Sequence, residues 1–347
     1  MKMNNDEGLS TVVQGRRNGV GTAPALLAHV TRGGSVESQH FGHIVVVDAE
    51  GKILFALGDA RFVTYIRSAA KPFQAMPLFE DAVPEIFGFR DDETAVMMSS
   101  HSGEPRHVDA VSSILRKIGR TPQDLQCGIH APLGEAVIHD LRRRGEKPTV
   151  LHNNCSGKHA GMLAACVNRG WPLESYLDLN HPHQQRILQT VARWAWMPAN
   201  DIGVGIDGCS APVFAMPLFN MARMYATLVS SEEKNAQRIV QIMAAAPEMI
   251  AGEERFDTDV MRATNGRVLA KIGAEGVQCI GVTGGQRFGM ALKMSDGSHR
   301  AVSAVALTIL HKLGFILDAE YEQLSGYHRA LIRNHRHIET GFVEAAI

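Results

Sequence analysis

Segments typical of β-strands lie near both ends of the chain, where apolar residues run together or alternate with polar ones. The first two segments flank a glycine turn, a pattern that predicts a β-hairpin. The predicted strands are residues 43–48, 53–56, 62–66, 268–272, 277–282 and 289–294. Strands contributed by both ends favour one sheet with largely antiparallel pairing.

Most of the remaining chain has helical spacing, with apolar residues three and four positions apart. The predicted helices are residues 68–82, 107–118, 160–168, 183–196, 217–230 and 232–246, with a last helix beginning near residue 300. We therefore predict an α/β fold in which helices pack on a sheet built from both chain ends. A helical insert is expected over residues 91–261.

Composition excludes several classes of protein. Of the 347 residues, 45% are hydrophobic, which is too many for a disordered chain. A net charge of −1 provides no strongly basic surface for nucleic acid or an anionic membrane. Five cysteines in so long a chain do not form a disulfide framework. The glycine-rich motifs of nucleotide-binding proteins are missing from the sequence, so a nucleotide cofactor is disfavoured.

The polar start of the chain predicts a flexible arm over residues 1–22, followed by a single domain over residues 23–347. This arm has no apolar core like that of a secretory signal. The longest apolar stretch, residues 301–310, is shorter than the ~20 residues that a membrane span requires. The sequence therefore predicts a cytoplasmic location with reduced thiols.

Ser68 and Lys71 form the first candidate catalytic pair. They are three residues apart at the start of a predicted helix, and this spacing puts two side chains on the same face. A serine hydroxyl becomes a good nucleophile when a base takes its proton, and a lysine with a lowered pKa can be that base. The same residues also fit a helix-capping serine beside a solvated lysine.

Two later segments extend this pattern. A polar turn contains Ser99, Ser100 and Ser102, and Lys271 begins a K-x-G sequence at the end of a predicted strand. The order S-x-x-K, serine turn and K-x-G resembles that of serine β-lactamases and penicillin-binding proteins. Ile272, however, replaces the hydroxyl residue of K-T-G. This change argues against a β-lactam substrate, but not against acylation of a serine.

A second constellation combines residues 152–159, HNNCSGKH, with the turn GIDGCS at 205–210. Cys155 and Cys209 are soft ligands that suit zinc, and a third ligand is needed. From residue types alone this ligand is one of four side chains, namely His152, His159, Asp207 or a deprotonated Lys158. Two buried structural cysteines in polar turns are the alternative interpretation.

Together these segments resemble the L-asparaginase II family of the Rhizobium etli type. The matching stretches occur in family order between about residues 25 and 330, and no paired threonine motif of other asparaginases is evident. The stretches are RSAAKPFQ (67–74), SSHSGE (99–104), HNNCSGKHAG (152–161), GIDGCSAP (205–212), PEMIAG (247–252), RFDTD (255–259) and KIGAEG (271–276).

This resemblance implies a serine β-lactamase-like fold, a homodimer, and hydrolysis of L-asparagine to L-aspartate and ammonia. Carried onto this chain, it implies two Ser-Lys tandems and a zinc ion held by two cysteines, a lysine and water. The tandems are Ser68 with Lys71 and Ser100 with Lys271, and the zinc ligands are Cys155, Lys158 and Cys209. Substrate-binding roles are assigned to Arg67, Asp207 and His101.

The sequence-based hypothesis is that Ser68 attacks the side-chain amide of asparagine with neutral Lys71 as its base. The leaving ammonia is then protonated by the Ser100–Lys271 pair or by Lys71. Two alternatives remain open. In one, zinc is the catalyst and the Ser-Lys pairs only bind substrate; in the other, the protein is a non-catalytic amino-acid binder on a penicillin-binding-like scaffold.

Overall fold

The computed structural model describes residues 22–347, so all but the last residue of the predicted arm lies outside the described part. Its strands are β1 (Ala25–Arg32), β2 (Ser35–Asp48), β3 (Ile53–Leu57), β4 (Val63–Tyr65), β5 (Gly203–Ile206), β6 (Pro212–Pro217), β7 (Val268–Gly273), β8 (Val277–Val282), β9 (Phe288–Met294), β10 (Arg329–Arg333) and β11 (Glu339–Ala345).

Helices fill most of the sequence between β4 and β7 and also follow β9. They are α1 (Lys71–Glu80), α2 (Val83–Ile86), α3 (Asp91–Met97), α4 (Pro105–Lys117), α5 (Glu135–Arg144), α6 (Ser156–Arg169), α7 (Pro182–Ala195), α8 (Leu218–Ser230), α9 (Lys234–Ala245), α10 (Pro247–Ile250), α11 (Phe256–Ala263), α12 (Val302–Lys312), α13 (Asp318–Gln323) and α14 (Ser325–His328). Short 3₁₀ turns occur at Arg67–Ala70, Pro122–Asp124, Val150–His152 and Ala199–Asp201.

The larger sheet has strand order β10-β11-β1-β2-β9-β8-β7, with β3 also paired to β2. Its pairings are antiparallel, and strands from both chain ends meet where β2 pairs with β9. The predicted α/β architecture, with an antiparallel sheet built from both ends and helices packed on it, is therefore confirmed. The strands β1, β10 and β11 were not predicted.

Helices cover both faces of this sheet. Along β2, Val45 and Val47 belong to one buried cluster, whereas Ile44 and Val46 belong to the cluster on the opposite face. Successive strand side chains point to opposite faces, so a strand buried on both sides becomes a continuous apolar run. On one face α8 approaches closely, because a Cβ on Gly289 would lie 1.9 Å from the Ala222 carbonyl oxygen.

The region over residues 91–261 is not wholly helical, contrary to prediction. Its strands β5 and β6 join β4 in a separate three-stranded antiparallel sheet. Both strands are short, and β5 contains two glycines, so local sequence favours strand only weakly. β6 is the central strand and pairs both with β5 and with β4, about 150 residues earlier, which is a long-range feature that periodicity does not reveal.

Across residues 22–347, no helix combines the length and the apolar character that crossing a membrane requires.

Candidate active site

The serine turn, residues 98–104, connects α3 to α4 and is buried over most of its length. The Ser99 hydroxyl donates to the Val96 carbonyl oxygen at 2.7 Å, so it completes the end of α3. The backbone N–H of Ser100 donates to the Ile250 carbonyl oxygen at 2.9 Å. These contacts fix the backbone and leave the Ser100 hydroxyl to meet other side chains.

Two lysine amines reach the Ser100 hydroxyl from different parts of the fold. Lys71, the first residue of α1, has its Nζ 3.0 Å from Ser100 Oγ. Lys271, on β7, approaches the same oxygen at 2.9 Å. Lys71 and Lys271 are only 1% and 0% exposed, which is unusual for lysine. The structure therefore places one hydroxyl between two buried amines.

Burial disfavours the charged form of both amines. It lowers the pKa of Lys71, although the nearby Cys155 thiol opposes the shift. For Lys271, burial and the positive charges of Lys71 and Arg255 lower the pKa to about 7, against the opposing charge of Asp257. Near neutral pH, Lys271 is therefore an amine that can accept a proton.

The hydrogen-bond acceptors around the two amines also differ. Lys71 Nζ contacts Ser100 Oγ and the carbonyl oxygens of Ser99 and Asn154, which matches the three donors of an ammonium group. Lys271 Nζ contacts Ser100 Oγ and the Ile272 carbonyl oxygen. The contacts thus suit a charged Lys71 and a neutral Lys271 that share Ser100 between them.

Ser68 lies in the 3₁₀ turn that precedes α1, not within the α-helix itself. Its side chain is partly exposed, and its hydroxyl makes no hydrogen bond within residues 22–347. The preceding Arg67 has φ = 52°, a left-handed conformation that is costly for a residue with a side chain. The predicted Ser68–Lys71 pairing is not formed in this structure, because Lys71 turns towards Ser100.

The thiol turn, residues 153–155, precedes α6 and lies against the serine turn. Asn153 accepts the Cys155 backbone N–H at 2.8 Å and donates to the Cys127 carbonyl oxygen, which fixes the turn. A Cβ on Gly157 would lie 2.1 Å from the Val96 carbonyl oxygen, so glycine allows α6 to approach the end of α3. This close approach brings Cys155 and Lys158 beside the serine turn.

Cys155, Lys158 and Cys209 form a buried cluster. The Lys158 Nζ lies 3.0 Å from Cys209 Sγ. The Cys155 hydrogen bond, together with Lys158, lowers the pKa of Cys209 to about 4 against the effect of burial. The same hydrogen bond and burial raise the pKa of Cys155 to about 12. Cys209 is therefore a thiolate that accepts from the Cys155 thiol and the Lys158 ammonium.

This cluster fits a zinc ion only if the lysine is a ligand. No group of three His, Cys, Asp and Glu side chains suited to a metal occurs among the described residues. Burial opposes the charge on Lys158, but both thiols and Asp207 outweigh it and raise its pKa. Zinc would have to displace protons from Lys158 and Cys155, which would leave two thiolates and an amine as a set of three ligands. The sequence offered four candidates for the third ligand, and among the described residues Lys158 is the one whose side chain hydrogen-bonds to Cys209.

Arg67 and Asp207 connect the Ser-Lys residues with the buried cluster of cysteines and lysine. The Arg67 Nη2 lies 2.8 Å from Asp207 Oδ1. Burial alone would raise the pKa of Asp207, but the Lys158 and Arg67 cations lower it. Asp207 already balances the positive charge of Arg67. Arg67 is therefore not an unpaired cation that is available to a substrate carboxylate.

His101 is part of the serine turn and is fully buried. Its Nδ1 accepts the Gly103 backbone N–H at 3.1 Å, so Nε2 carries the proton and donates to Ser156 Oγ at 2.9 Å. Burial lowers the pKa of His101 well below its ordinary value. This neutral ring ties the serine turn to α6 and presents no exposed atom to a substrate.

Sequence reasoning missed Asn153, Asn154 and Ser156 as parts of the site. Asn153 builds the thiol turn, the Asn154 carbonyl oxygen accepts from Lys71 at 3.2 Å, and Ser156 accepts from His101. The signal that could have identified them was the density of polar residues in 152–159, whose buried amides and hydroxyls need partners.

Similar solved structures include crystal structures of Mglu. The Mglu structure in its tris and glutamate form is 15% identical, with a TM-score of 0.35, and the match covers 79% of this chain and 60% of that chain. A second Mglu structure is 17% identical, with a TM-score of 0.33, and the match covers 79% and 68% of the two chains. This chain therefore spans about 60% of the length of the first.

Among curated proteins, no sequence matches the chain. The family model of L-asparaginase II, in contrast, matches residues 28–345, which include the three lysines, the two candidate serines and the two thiols of the candidate site. Since this match leaves only the two ends of the chain outside it, the chain belongs to the L-asparaginase II family.

Proposed function

We propose that this protein, an amidohydrolase by its family, hydrolyses L-asparagine to L-aspartate and ammonia through a Ser-Lys nucleophilic mechanism. The observation that carries the proposal is the Ser100 hydroxyl held between the buried amines of Lys71 and Lys271. An amine that is neutral near pH 7 can remove the proton from a serine, which a fully charged lysine cannot do.

Ser68 is the proposed nucleophile, and Ser100 is the proposed proton relay. A nucleophile must be reached by substrate, and Ser68 is partly exposed whereas Ser100 is buried. Ser100 also contacts both amines, so its hydroxyl can pass a proton from Lys71 to neutral Lys271. Lys71 then becomes the neutral base for Ser68, three residues before it.

In the proposed reaction, Ser68 Oγ bonds to the side-chain amide carbon of asparagine while its proton passes to Lys71. Lys71 returns that proton to the amide nitrogen, and the carbon–nitrogen bond breaks to release ammonia. A water molecule then attacks the Ser68 ester and regenerates the hydroxyl, releasing aspartate. The two amines thus move protons in both halves of the reaction.

The direct test is ammonia release from L-asparagine, L-glutamine and a β-lactam by the purified protein. We expect turnover of asparagine and no hydrolysis of the β-lactam, because Ile272 replaces the hydroxyl of K-T-G. A protein that binds asparagine but releases no ammonia would support the non-catalytic binder instead.

The rate should depend on pH through Lys271. Below about pH 7 its amine becomes protonated and cannot accept the Ser100 proton, so kcat/KM should fall about tenfold per pH unit. Above that pH, kcat/KM should level off. The charged and titratable groups that influence Lys271 are Lys71, Arg255, Asp257 and the Cys155 and Cys279 thiols. A flat kcat/KM profile between about pH 5.5 and 8.5 would contradict this role.

Zinc bound by Cys155, Lys158 and Cys209 is a further part of the proposal. It is supported by the Cys209 thiolate and by the contacts of Cys155 and Lys158 with it. When bound there, zinc would act as a Lewis acid that helps to hold the substrate. The proton transfers are assigned to the Ser-Lys residues and do not require the metal.

Elemental analysis tests the zinc ligands. After purification with zinc, wild-type protein should hold one ion per chain, and Cys209→Ser should hold none because its thiolate is lost. Cys166→Ala is the matched control, since Cys166 is a buried thiol on α6 outside the cluster. Equal zinc contents in wild type and Cys209→Ser would disprove the site.

Removal of zinc from the wild-type protein with a chelator separates the two enzymatic hypotheses. We expect KM for asparagine to rise while kcat at saturating asparagine is retained. If kcat is abolished and added zinc restores it, the zinc-hydrolase alternative is correct. The homodimer, the cytoplasmic location and the single catalytic domain stay predictions.

A further inference from the structure

Asp257 is a buried carboxylate that the mechanism above does not use. It lies in the first turn of α11 and is 2% exposed. Its two oxygens have different partners. Oδ2 accepts the backbone N–H of Ile272 at 2.7 Å, and Oδ1 accepts the side-chain amide of Gln278 at 3.0 Å.

These two partners belong to adjacent strands at the edge of the larger sheet. Ile272 lies on β7, which is the outermost strand, and faces Gln278 of β8 in the antiparallel register. An edge strand has backbone groups that no neighbouring strand can bind, and Asp257 supplies the acceptor for one of them. The carboxylate therefore holds β7 and β8 together at the position next to Lys271.

Lys271 depends on this local geometry because its amine makes two contacts near the same strand position. It bonds to the Ile272 carbonyl oxygen at 3.0 Å and to Ser100 Oγ at 2.9 Å. A shift of β7 would move both the amine and the Ile272 carbonyl relative to Ser100. Asp257 thus acts on the amine through the peptide that adjoins it.

The negative charge of Asp257 is a second influence on Lys271. Burial and the positive charges of Lys71 and Arg255 lower the pKa of Lys271, whereas Asp257 opposes that shift. The Cys155 thiol also opposes it, and the Cys279 thiol faces Lys271 across the β7–β8 pair. Asp257 is therefore the carboxylate among the groups that set the charge state of this amine.

We propose that Asp257 is a positioning residue for the hydrolysis proposed above. Its carboxylate fixes Lys271 against Ser100 and stabilises the protonated amine formed when Lys271 takes a proton from Ser100. The kinetic consequence of this inference rests on the proposed function. Its structural basis, the hydrogen bonds to Ile272 and Gln278, is independent of the substrate.

Asp257→Asn separates the charge from the hydrogen bonds. Asparagine has a single acceptor oxygen, which can retain the Ile272 N–H, and its NH₂ group would then face Gln278. The Gln278 Oε1 is buried and has no hydrogen-bond partner in the described part of the chain. Rotation of the Gln278 amide by half a turn would present this oxygen to the new NH₂ group. The variant therefore removes the charge while the contacts between α11, β7 and β8 can persist.

Asp259→Asn is the matched control. Asp259 lies on the same helix, and its carboxylate accepts from the Tyr327 hydroxyl at 2.5 Å instead of contacting β7. It is not among the groups that influence Lys271. Asp257→Ala is the second test variant, because it removes the charge and both hydrogen bonds.

The first measurement is the kcat/KM profile for asparagine against pH. Removal of a nearby negative charge disfavours protonated Lys271, so the acidic limb of Asp257→Asn should move about one unit to lower pH. Asp259→Asn should retain the wild-type limb. Asp257→Ala should show the same shift and also lose ten- to one-hundredfold in kcat at every pH, because the amine is no longer held in position.

The second measurement needs no turnover. The ¹³Cε signal of Lys271, assigned by its loss in Lys271→Arg, should titrate at lower pH in Asp257→Asn than in wild type. If wild type releases no ammonia but this shift occurs, the proposed function fails while the influence of Asp257 on Lys271 stands. An unshifted titration in Asp257→Asn overturns the inference. Failure of Asp257→Asn to fold while Asp259→Asn folds also overturns it, because Asp257 would then serve general stability.

Discussion

Replacement of Ser68 by alanine is expected to lower kcat for asparagine hydrolysis by about 10⁴-fold or more, with little effect on the fold. The proposed acyl-enzyme cannot form without this oxygen. Because the Ser68 hydroxyl makes no hydrogen bond in the described part of the chain, its removal leaves no buried partner unsatisfied. Ammonia release and thermal unfolding measure the two effects.

Ser99→Ala is the control for this experiment. Its hydroxyl bonds to the Val96 carbonyl oxygen and contacts neither lysine amine, so its loss should cost about 1 kcal/mol of stability but little activity. Ser100→Ala should slow both acylation and deacylation, because the relay between the amines is broken.

Mass spectrometry of the protein quenched during turnover identifies the acylated serine. We expect an aspartyl ester on the peptide that contains Ser68, and its accumulation if deacylation is slowed by Ser100→Ala. An ester on Ser100, together with near-normal ammonia release by Ser68→Ala, would show that Ser100, and not Ser68, is the nucleophile.

Replacement of Lys271 by methionine is expected to lower kcat about 10²- to 10⁴-fold, the range associated with loss of one general base. Methionine fills a similar volume but cannot accept the Ser100 proton. Once the wild-type kcat is divided by the fraction of Lys271 that is neutral at each pH, the loss should be nearly the same at pH 6.5 and at pH 8.5. Retention of kcat within fivefold would show that Lys71 works without this partner.

The same substitution should stabilise the protein, and more so at low pH. The pKa of Lys271 is about 7 in the folded chain and about 10.4 in an unfolded one, so between these values only the unfolded state holds the proton. Wild-type stability therefore rises with pH across this window, and below pH 7 the buried charge costs on the order of 4 kcal/mol. Lys271→Met removes that cost, partly offset by the lost hydrogen bonds.

Thermal unfolding measures this difference. Tm of Lys271→Met should exceed that of wild type by several degrees at pH 6, and by less at pH 9, where the wild-type amine is neutral in the folded state. An equal Tm difference at both pH values would mean that Lys271 does not carry a depressed pKa.

Periodicity predicted much of the fold because its signals are local. The continuous apolar run of β2 and the helical spacing of α7 and α8 follow from burial of each element's own side chains. The small sheet of β4, β5 and β6 was partly missed, since its short strands gain stability from distant partners.

The candidate site shows the same division between local and distant effects. The S-x-x-K spacing predicted that the side chains of Ser68 and Lys71 meet on one helical face, but Ser68 lies in the 3₁₀ turn before α1 and Lys71 is the first residue of α1. It did not indicate that Lys71 would turn to Ser100, because that contact depends on α3 and the serine turn packing against α1. His101 was expected to contact substrate, whereas in the structure its buried ring hydrogen-bonds to Ser156 at the start of α6.

By itself, the sequence determined the chemical groups and the order in which they occur: two serines, three lysines, two thiols and a carboxylate, each set in a turn or near the end of a helix or strand. Those features depend on residue identity and on neighbours a few positions away. Motif order also sufficed to identify the family.

Only the tertiary structure decided which groups meet and what charge they carry. Lys271 reaches Ser100 across 171 residues of chain, and Asp257 reaches Gln278 from another element. The pKa of a lysine falls when packing from several elements removes its water. Desolvation of this kind depends on the whole surrounding fold, so no local pattern could have specified it.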